Sequence, residues 1–348
     1  MSHSTNIDWW QEGAAPLNAE ALEAARTRQQ QLTKPRGSLG QLERLAECFA
    51  AWQGKSCPSI EDVAVRVFAA DHGVAAQGVS AYPQAVTAQM VANFCQGGAA
   101  ISVLARHCEA DFKVVNLGCV APVSADPRLI DSPLGPGTAD FTVEAAMTDH
   151  QLRSALDAGR DAVGQCDLWI GGEMGIGNTT SASAIQAALL SQSPEQVVGP
   201  GTGVDAPTLR HKQTVVAQSL ERHADHLSDP MQTLRCLGGF EIAALTGAYI
   251  RCAQRGVPAL VDGYITTVAA LLAVRLLPAT KDWLLFAHAS GEPGHQALLA
   301  ALDARPLLAL DMRLGEGSGA ALAVPLIRSA LAMHREMATF ESAGVSDG

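Results

Sequence analysis

The sequence has little basic charge and few aromatic side chains. Lys and Arg number 24 against 35 Asp and Glu, so the formal net charge is −11. Proteins that bind the nucleic-acid backbone need a basic face, and we therefore expect no nucleic-acid partner. Aromatic residues make up only 5% of the chain, which disfavours a surface on which bases stack.

The eight cysteines lie far apart and include no C-x-x-C pair. This spacing argues against a zinc framework and against a small disulfide scaffold, and the scattered histidines give no metal-ligand spacing. The first residues lack the basic and apolar segments of a signal peptide, and the most apolar stretch, 257–279, contains Asp262 and Arg275. We therefore expect a cytoplasmic protein with no metal and no contact with a membrane.

Apolar residues are plentiful, at 48% of 348, enough for a large core. Short apolar runs that end in glycine and polar residues predict buried parallel strands at 63–70, 112–116, 167–170, 257–261, 283–287 and 307–310. Alanine-rich segments between them predict helices at 85–106, 180–190, 239–255 and 266–276. This alternation indicates an α/β, doubly wound fold with a mainly parallel sheet of about six strands and helices on both faces.

The two ends of the chain have a different pattern. Residues 17–53 are typical of helices interrupted by TKPRGSLG, and residues 320–340 are typical of one more helix. We predict a large α/β domain, 55–320, that carries the active site. Residues 1–54 and 321–348 would form a small helical subdomain.

Most of the chemically interesting residues follow predicted strands, so they should meet at the carboxyl edge of the sheet. GGEMGIGNTT (residues 171–180) opens a predicted helix, where backbone amides and the helix dipole favour an anion. GPGTGVD (199–205) is a second glycine-rich loop, and Lys212 is near enough in sequence to reach a phosphate. The alternatives are an ordinary capped turn and a solvated lysine.

Two glutamates lie beside glycines after predicted strands. Glu316, in LGEGSG, would act as a base if burial raised its pKa, and Glu173 would face the same cleft. The alternatives are a surface glutamate on a flexible turn and a purely structural pair. For Asp71-His72-Gly73 we favour a hydrogen-bonded structural His72 over a metal site.

Several longer strings occur together in one order: LTKPRGSLGQLERLA, AADHGVAAQGVSAYPQAVTAQMV, GEMGIGNTT, GPGTGVD, LGGFEIAALTGA, GVPALVDGYITT, HASGEPGHQ and LDMRLGEGSGAALA. With them the sequence resembles the nicotinate-nucleotide–dimethylbenzimidazole phosphoribosyltransferase family from about residue 20 to residue 340. The resemblance implies a homodimer that uses no cofactor and moves the phosphoribosyl group of nicotinate mononucleotide to 5,6-dimethylbenzimidazole. A non-catalytic nucleotide-binding α/β protein is the alternative. An oxidoreductase is disfavoured because the G-x-G-x-x-G fingerprint is absent.

The resemblance also implies roles for individual residues. Glu316 matches the catalytic base, and Glu173 matches a second carboxylate near the ribose. The implied substrate-binding residues are Ser80, Tyr82 and Gln89 around the benzimidazole, and Gly175, Gly177, Asn178, Gly201, Thr202, Gly203, Lys212, Asp262, Ser290, Gly291 and Gly315 in the rest of the site.

Overall fold

The centre of the molecule is a parallel β-sheet. A computed structural model describes residues 8–199, 201 and 203–346. The strands are β1 (Val63–Ala70), β2 (Asp111–Gly118), β3 (Leu129–Asp131), β4 (Leu168–Met174), β5 (Ala259–Val261) and β6 (Leu284–Phe286). They lie in the order β3-β2-β1-β4-β5-β6, and every neighbouring pair is parallel. The predicted doubly wound sheet of about six strands is confirmed.

Helices cover both faces of the sheet. They are α1 (Ala19–Gln31), α2 (Gln41–Gln53), α3 (Ala85–Gln96), α4 (Ala100–His107), α5 (Asp149–Asp161), α6 (Asn178–Leu190), α7 (Pro194–Val197), α8 (Ala206–Arg222), α9 (Pro230–Leu237), α10 (Phe240–Arg255), α11 (Tyr264–Leu276), α12 (His295–Ala301), α13 (Ser318–Glu336) and α14 (Phe340–Ala343). Short 3₁₀ turns occupy Trp9–Gln11, Gly73–Gln77, Ala224–His226 and Pro278–Trp283. Within the described part of the chain, no helix is long and apolar enough to cross a membrane.

Two of the predicted elements differ from the structure in kind, and the strand predicted at 167–170 continues to Met174, so Glu173 lies inside β4. The predicted strand 307–310 forms only an isolated bridge between Leu308 and His288, because the chain then turns outward and leaves Leu310 exposed. The strand at the opposite edge of the sheet is β3, which is three residues long and largely exposed, so it has no long apolar run to predict it. The predicted helix 85–106 is two helices, since Gly97 ends α3 in a left-handed conformation, with φ of +85°.

Both faces of the central strands are packed, as continuous apolar runs predict. All eight residues of β1 are buried. On one face, Phe68 and Trp169 join the cluster that contains Tyr249 of α10, whose ring centroid is 5.8 Å from that of Trp169. On the other face, Val65 packs in a cluster with Phe49 of α2. The sheet is therefore a rigid base for the loops at its carboxyl edge.

The two ends of the chain lie against each other. Arg28 of α1 donates hydrogen bonds to the backbone carbonyls of His334 and Arg335, both at 2.7 Å. Leu32 and Thr339 form an isolated antiparallel bridge. The division into a domain at 55–320 and a helical subdomain from 1–54 and 321–348 stays a prediction.

Candidate active site

A cavity of about 620 Å³ opens at the carboxyl ends of β4, β5 and β6. It lies beside the point where the strand order reverses, between β1 and β4, which is where open α/β sheets bind ligands. Its ionisable lining residues are Glu173, Asp262, Tyr82, Tyr264, His288, Glu292, Arg313 and Glu316. Four carboxyl groups and an arginine in one cavity suit a polar, charged substrate.

Glu316 has a backbone conformation that few side chains adopt. Its φ is +65°, and the φ angles of Gly315 and Gly317 beside it are +84° and +91°. The carbonyl oxygen of Glu316 lies against Gly172 of β4, where an added Cβ would be only 2.0 Å from that oxygen. The missing side chain of Gly172 therefore lets the turn pack directly on the sheet. Backbone strain that the surroundings hold in place is common at functional sites.

Asp262 links the end of β5 to this turn. Its Oδ2 accepts a hydrogen bond from the N–H of Gly317 at 3.1 Å, and its Oδ1 accepts one from the N–H of Ala320 at 2.8 Å. These amides belong to the start of α13 and have no partner within the helix. Burial raises the pKa of Asp262, while nearby His288 and the amide donors oppose that rise. The carboxylate fixes the residue that follows Glu316.

The carboxyl group of Glu316 is buried but lines the cavity. The residue is 6% exposed, and its Oε2 accepts a hydrogen bond from the N–H of Ile101 at 3.2 Å. Burial raises the pKa of Glu316, the Ile101 amide lowers it and the charge of Asp262 raises it further. A carboxylate with a raised pKa is a stronger base than one in water.

Glu173, the last residue but one of β4, lines the same cavity. Burial, followed by the charges of Glu241 and Asp262, raises its pKa to about 8, and a hydrogen bond from Asn178 opposes the rise. That bond runs from Asn178 Nδ2 to Glu173 Oε2 over 2.5 Å. Burial among other acidic groups therefore favours the protonated form of Glu173. A positive charge placed beside it would favour its ionised form.

Lys212 of α8 lies just behind the cavity wall. The residue is 1% exposed, and its Nζ donates hydrogen bonds to Thr179 Oγ1 at 2.8 Å and to the carbonyl of Gly199 at 3.3 Å. Burial lowers the pKa of Lys212 to about 8, and the charge of Glu292 opposes this change. Thr179 lies in the first turn of α6, so a helix N-terminus and an ammonium meet at one place. This combination favours a phosphate.

Apolar side chains form another part of the wall. Tyr82, Val86, Met90 and Leu314 all line the cavity, next to Ile176 of the loop after β4. Val86 and Met90 are one turn apart on α3, so they present one face of that helix. Such a surface suits a flat, apolar ring.

Comparison with known proteins identifies the family of this chain. Residues 14–345 match the family described as "Phosphoribosyltransferase". This chain belongs to that phosphoribosyltransferase family.

Named relatives of this phosphoribosyltransferase are similar over nearly their full lengths. A Pseudomonas putida (strain W619) protein named nicotinate-nucleotide–dimethylbenzimidazole phosphoribosyltransferase is 56% identical over 347 residues, covering 98% of this chain and 99% of that protein. A protein of the same name from Azotobacter vinelandii is 57% identical over 346 residues, covering 98% of each. A crystal structure of the enzyme of that name from Thermus thermophilus is 44% identical, with a TM-score of 0.89. The match covers 95% of this chain and 100% of that structure.

The structure brings many of the predicted site residues of this phosphoribosyltransferase together. Those that line the cavity are Tyr82, Glu173, Gly175, Asn178, Gly201, Asp262, Ser290, Gly315 and Glu316. Those outside its lining are Ser80, Gln89, Gly177, Gly203, Lys212 and Gly291. Gln89 is exposed on α3, and Ser80 Oγ accepts a hydrogen bond from the N–H of Tyr82. The predicted residue Thr202 lies outside the described residues. The roles of all these residues stay predictions.

Several residues of the cavity wall were not among the predicted site residues. Val86 and Met90 have a spacing of four residues, a helical signal that could have placed both beside Tyr82. Glu292 and Arg313 had no such signal. Burial raises the pKa of Glu292, and the charges of Lys212 and Arg313 oppose that rise.

His72 is a hydrogen-bonded structural residue, as predicted. Its Nε2 lies 2.7 Å from Oε1 of Glu241, and both side chains are fully buried. An added Cβ on Gly175 would lie 3.3 Å from the His72 ring, so the pair supports the loop after β4 from behind. Among the described residues, no three His, Cys, Asp or Glu side chains are grouped so that they could hold a metal ion.

Proposed function

We propose that this chain transfers the 5-phosphoribosyl group of nicotinate mononucleotide to 5,6-dimethylbenzimidazole, with inversion at C1′. The products are α-ribazole 5′-phosphate and nicotinate, and the reaction serves assembly of the nucleotide loop of cobalamin. One observation carries the proposal: the buried carboxyl groups of Glu316 and Glu173 share a cavity with an apolar wall and a glycine-rich anion loop. The substrates in the names of the relatives support the same reaction.

Glu316 is the general base of the proposed reaction. The benzimidazole attacks C1′ through one nitrogen and must lose the proton on its other nitrogen. Glu316 accepts that proton, since its carboxylate is buried and its pKa is raised. The proton leaves the ring as the new glycosidic bond forms and the bond from C1′ to the nicotinate nitrogen breaks.

Nicotinate, the leaving group, departs without a general acid. The ring nitrogen of nicotinate mononucleotide is cationic, so nicotinate departs as a neutral pyridine when it takes the bonding electron pair. Positive charge then develops on the ribose. Glu173 stabilises that charge, because a cation at this position lowers the raised pKa of Glu173 and favours its carboxylate.

The phosphate is held at the glycine-rich loops. Gly175, Gly177 and the start of α6 supply backbone amides, and Lys212 supplies positive charge through its position behind Thr179. The turn at Ser290 and Gly291 and the loop of Gly201, Thr202 and Gly203 complete this part of the site. Asn178, Asp262 and Gly315 belong to the ribose region.

The benzimidazole packs on the apolar wall. Tyr82 lines the cavity and is half exposed there, at 51%. Ser80 and Gln89 belong to the same segment, which lines the benzimidazole site in this proposal. Holding two flat rings on opposite faces of one ribose supplies much of the rate enhancement.

The working form of the enzyme is a cytoplasmic homodimer without a metal or other cofactor. Its site lies in the domain at 55–320, and the helices of 1–54 and 321–348 form the small subdomain. Two exposed apolar side chains of the cavity lining, Tyr82 and Leu314, support burial against a second copy.

Release of nicotinate tests the proposal. The purified protein is incubated with nicotinate mononucleotide, with and without dimethylbenzimidazole, and nicotinate and α-ribazole 5′-phosphate are followed by chromatography. We expect both products in equal amounts, and only when both substrates are present. A protein that binds the nucleotide but releases no nicotinate would be a binding module.

A further inference from the structure

A buried threonine joins three separate elements beside the cavity. Thr87 lies in the first turn of α3 and is fully buried. Its Oγ1 donates a hydrogen bond to Oδ1 of Asp71 at 2.6 Å and accepts one from the N–H of Ile176 at 3.2 Å. The other carboxylate oxygen of Asp71 accepts a hydrogen bond from the N–H of Val120 at 2.8 Å.

These bonds fix the direction of the hydroxyl group. Asp71 directly follows β1 and has no solvent exposure. Its carboxylate accepts the hydrogen bond that the hydroxyl donates, so a lone pair of Oγ1 faces the N–H of Ile176. A threonine in a helix often bonds a carbonyl of its own preceding turn instead. Here the hydroxyl is committed to two partners outside α3.

The elements that Thr87 joins form two different walls of the cavity. Val86 and Met90, its neighbours on α3, belong to the apolar wall. Ile176 also lines the cavity and lies between Gly175 and Asn178, in the loop that leads into α6. The hydroxyl is therefore a direct connection between the apolar wall and the anion loop.

We propose that Thr87, oriented by Asp71, is a positioning residue that sets the distance between the two bound substrates. The inference rests on the proposed function, in which the apolar wall holds the acceptor ring and the loop of Ile176 holds the nucleotide. Attack at C1′ depends on the spacing of the two reactants, and a displacement of about 1 Å can cost about 10²-fold in rate. Thr87 itself touches neither substrate.

Matched variants separate this role from simple stabilisation. Thr87→Val keeps the shape and removes both hydrogen bonds, whereas Thr87→Ser keeps the hydroxyl. Thr246→Val is the control, because Thr246 is also fully buried, on α10, and its Oγ1 donates to the carbonyl of Ile242 at 2.8 Å. Each variant is assayed for kcat, for KM of both substrates and for its urea unfolding midpoint.

We expect Thr87→Val to lower kcat by about tenfold or more, with a smaller change in either KM, because the loss concerns mutual orientation of bound reactants. Thr87→Ser should restore kcat to within about twofold of the parent protein, since one good hydrogen bond governs the effect. Thr246→Val should lower the unfolding midpoint and leave kcat unchanged. If Thr87→Val keeps more than about half of the parent kcat, or if Thr87→Ser loses as much as Thr87→Val, the proposal is wrong.

Two further measurements make the result decisive. The parent protein is assayed in parallel, so a failure of the proposed function appears as missing nicotinate release in every sample. If Thr87→Val does not fold, Asp71→Asn disturbs the same hydroxyl from its other side. A folded Asp71→Asn variant should then show the kcat loss with little change in KM, and parent-like kcat there would overturn the proposal.

Discussion

Asp262 Oδ2 lies 3.1 Å from the backbone nitrogen of Gly317, so the end of β5 holds the residue that follows Glu316. The same carboxylate accepts the N–H of Ala320 at the start of α13. Three consecutive residues with positive φ, Gly315 to Gly317, precede that helix. The position of the proposed base therefore depends on an acidic residue 54 positions earlier in the chain.

Asp262→Ala should reduce both stability and turnover. Two buried amides of α13 lose their acceptor, which costs about 1–3 kcal/mol of unfolding free energy. Displacement of Glu316 should also lower kcat by more than about tenfold. Asp229→Ala is the matched control, because Asp229 caps α9 by accepting from the N–H of Met231 at 2.7 Å. That variant should lose about 1 kcal/mol and keep its kcat. Parent-like kcat in Asp262→Ala would contradict this role.

Glu173 makes stability depend on pH. Its pKa rises from 4.5 to about 8 on folding, so between these values the folded state holds a proton that the unfolded chain has released. The free energy of unfolding therefore falls as pH rises through this window. Glu173→Gln removes the titrating group, so its stability relative to the parent should increase with pH in urea denaturation at several pH values.

Glu195→Gln is the control for this series. Glu195 is exposed, and a hydrogen bond with Ser193 lowers its pKa, so it does not titrate in the same window. A Glu173→Gln variant that followed the pH profile of Glu195→Gln would show that Glu173 is ionised throughout.

Lys212→Met should weaken binding of the nucleotide more than it slows the bound complex. The charge of Lys212 lies behind Thr179 and remote from C1′, so it acts alike on ground and transition states, and KM rises while kcat changes little. Loss of this charge-assisted stabilisation of the phosphate corresponds to about a tenfold to hundredfold increase in KM. With nicotinate riboside, which lacks the phosphate, variant and parent should have the same KM. A lower kcat at unchanged KM would show that Lys212 acts elsewhere.

The proposed homodimer has a direct physical test. The chain has a mass of 36.3 kDa, and light scattering at micromolar concentration should give about twice that value. A mass near that of the single chain would contradict the dimer. The measurement needs no substrate and is independent of the proposed activity.

The sequence predicted those parts of the fold that depend on local pattern. The apolar run of β1, buried along its whole length, predicted its own bounds, and the glycine-rich segment 171–180 predicted a helix at 180–190, where α6 begins two residues earlier. The segment 307–310 shows the limit of this reasoning. Four apolar residues predict a strand, yet the segment pairs with the chain after β6 only through one isolated bridge, between Leu308 and His288.

Contacts between distant residues had no signal in the sequence. His72 and Glu241 are 169 positions apart, and neither segment shows by itself that the other is its partner. The same holds for Thr87 and Ile176, which are 89 positions apart. The motifs predicted which residues are chemically interesting, whereas burial and partners, which set the pKa of Glu173 and Lys212, depend on the folded chain.

The central claim is that Glu316 removes the benzimidazole proton. Burial raises its pKa, and the base acts only when deprotonated, so kcat/KM of the parent protein should rise with pH through that raised pKa. Glu316→Gln keeps the size of the side chain and removes its basicity. Binding of nicotinate mononucleotide, followed by calorimetry, should be nearly unchanged, because Glu316 faces the incoming ring.

The most direct measurement is kcat/KM of Glu316→Gln, from nicotinate release at saturating nucleotide and varied dimethylbenzimidazole. Removal of a general base costs about 10²–10⁴ in rate, and we expect a loss in that range with no rise of activity across the pH profile. If Glu316→Gln retained more than about half of the parent kcat/KM, its loss would be far smaller than the smallest expected loss of about 10²-fold. That result would contradict the account and make Glu173 the leading candidate.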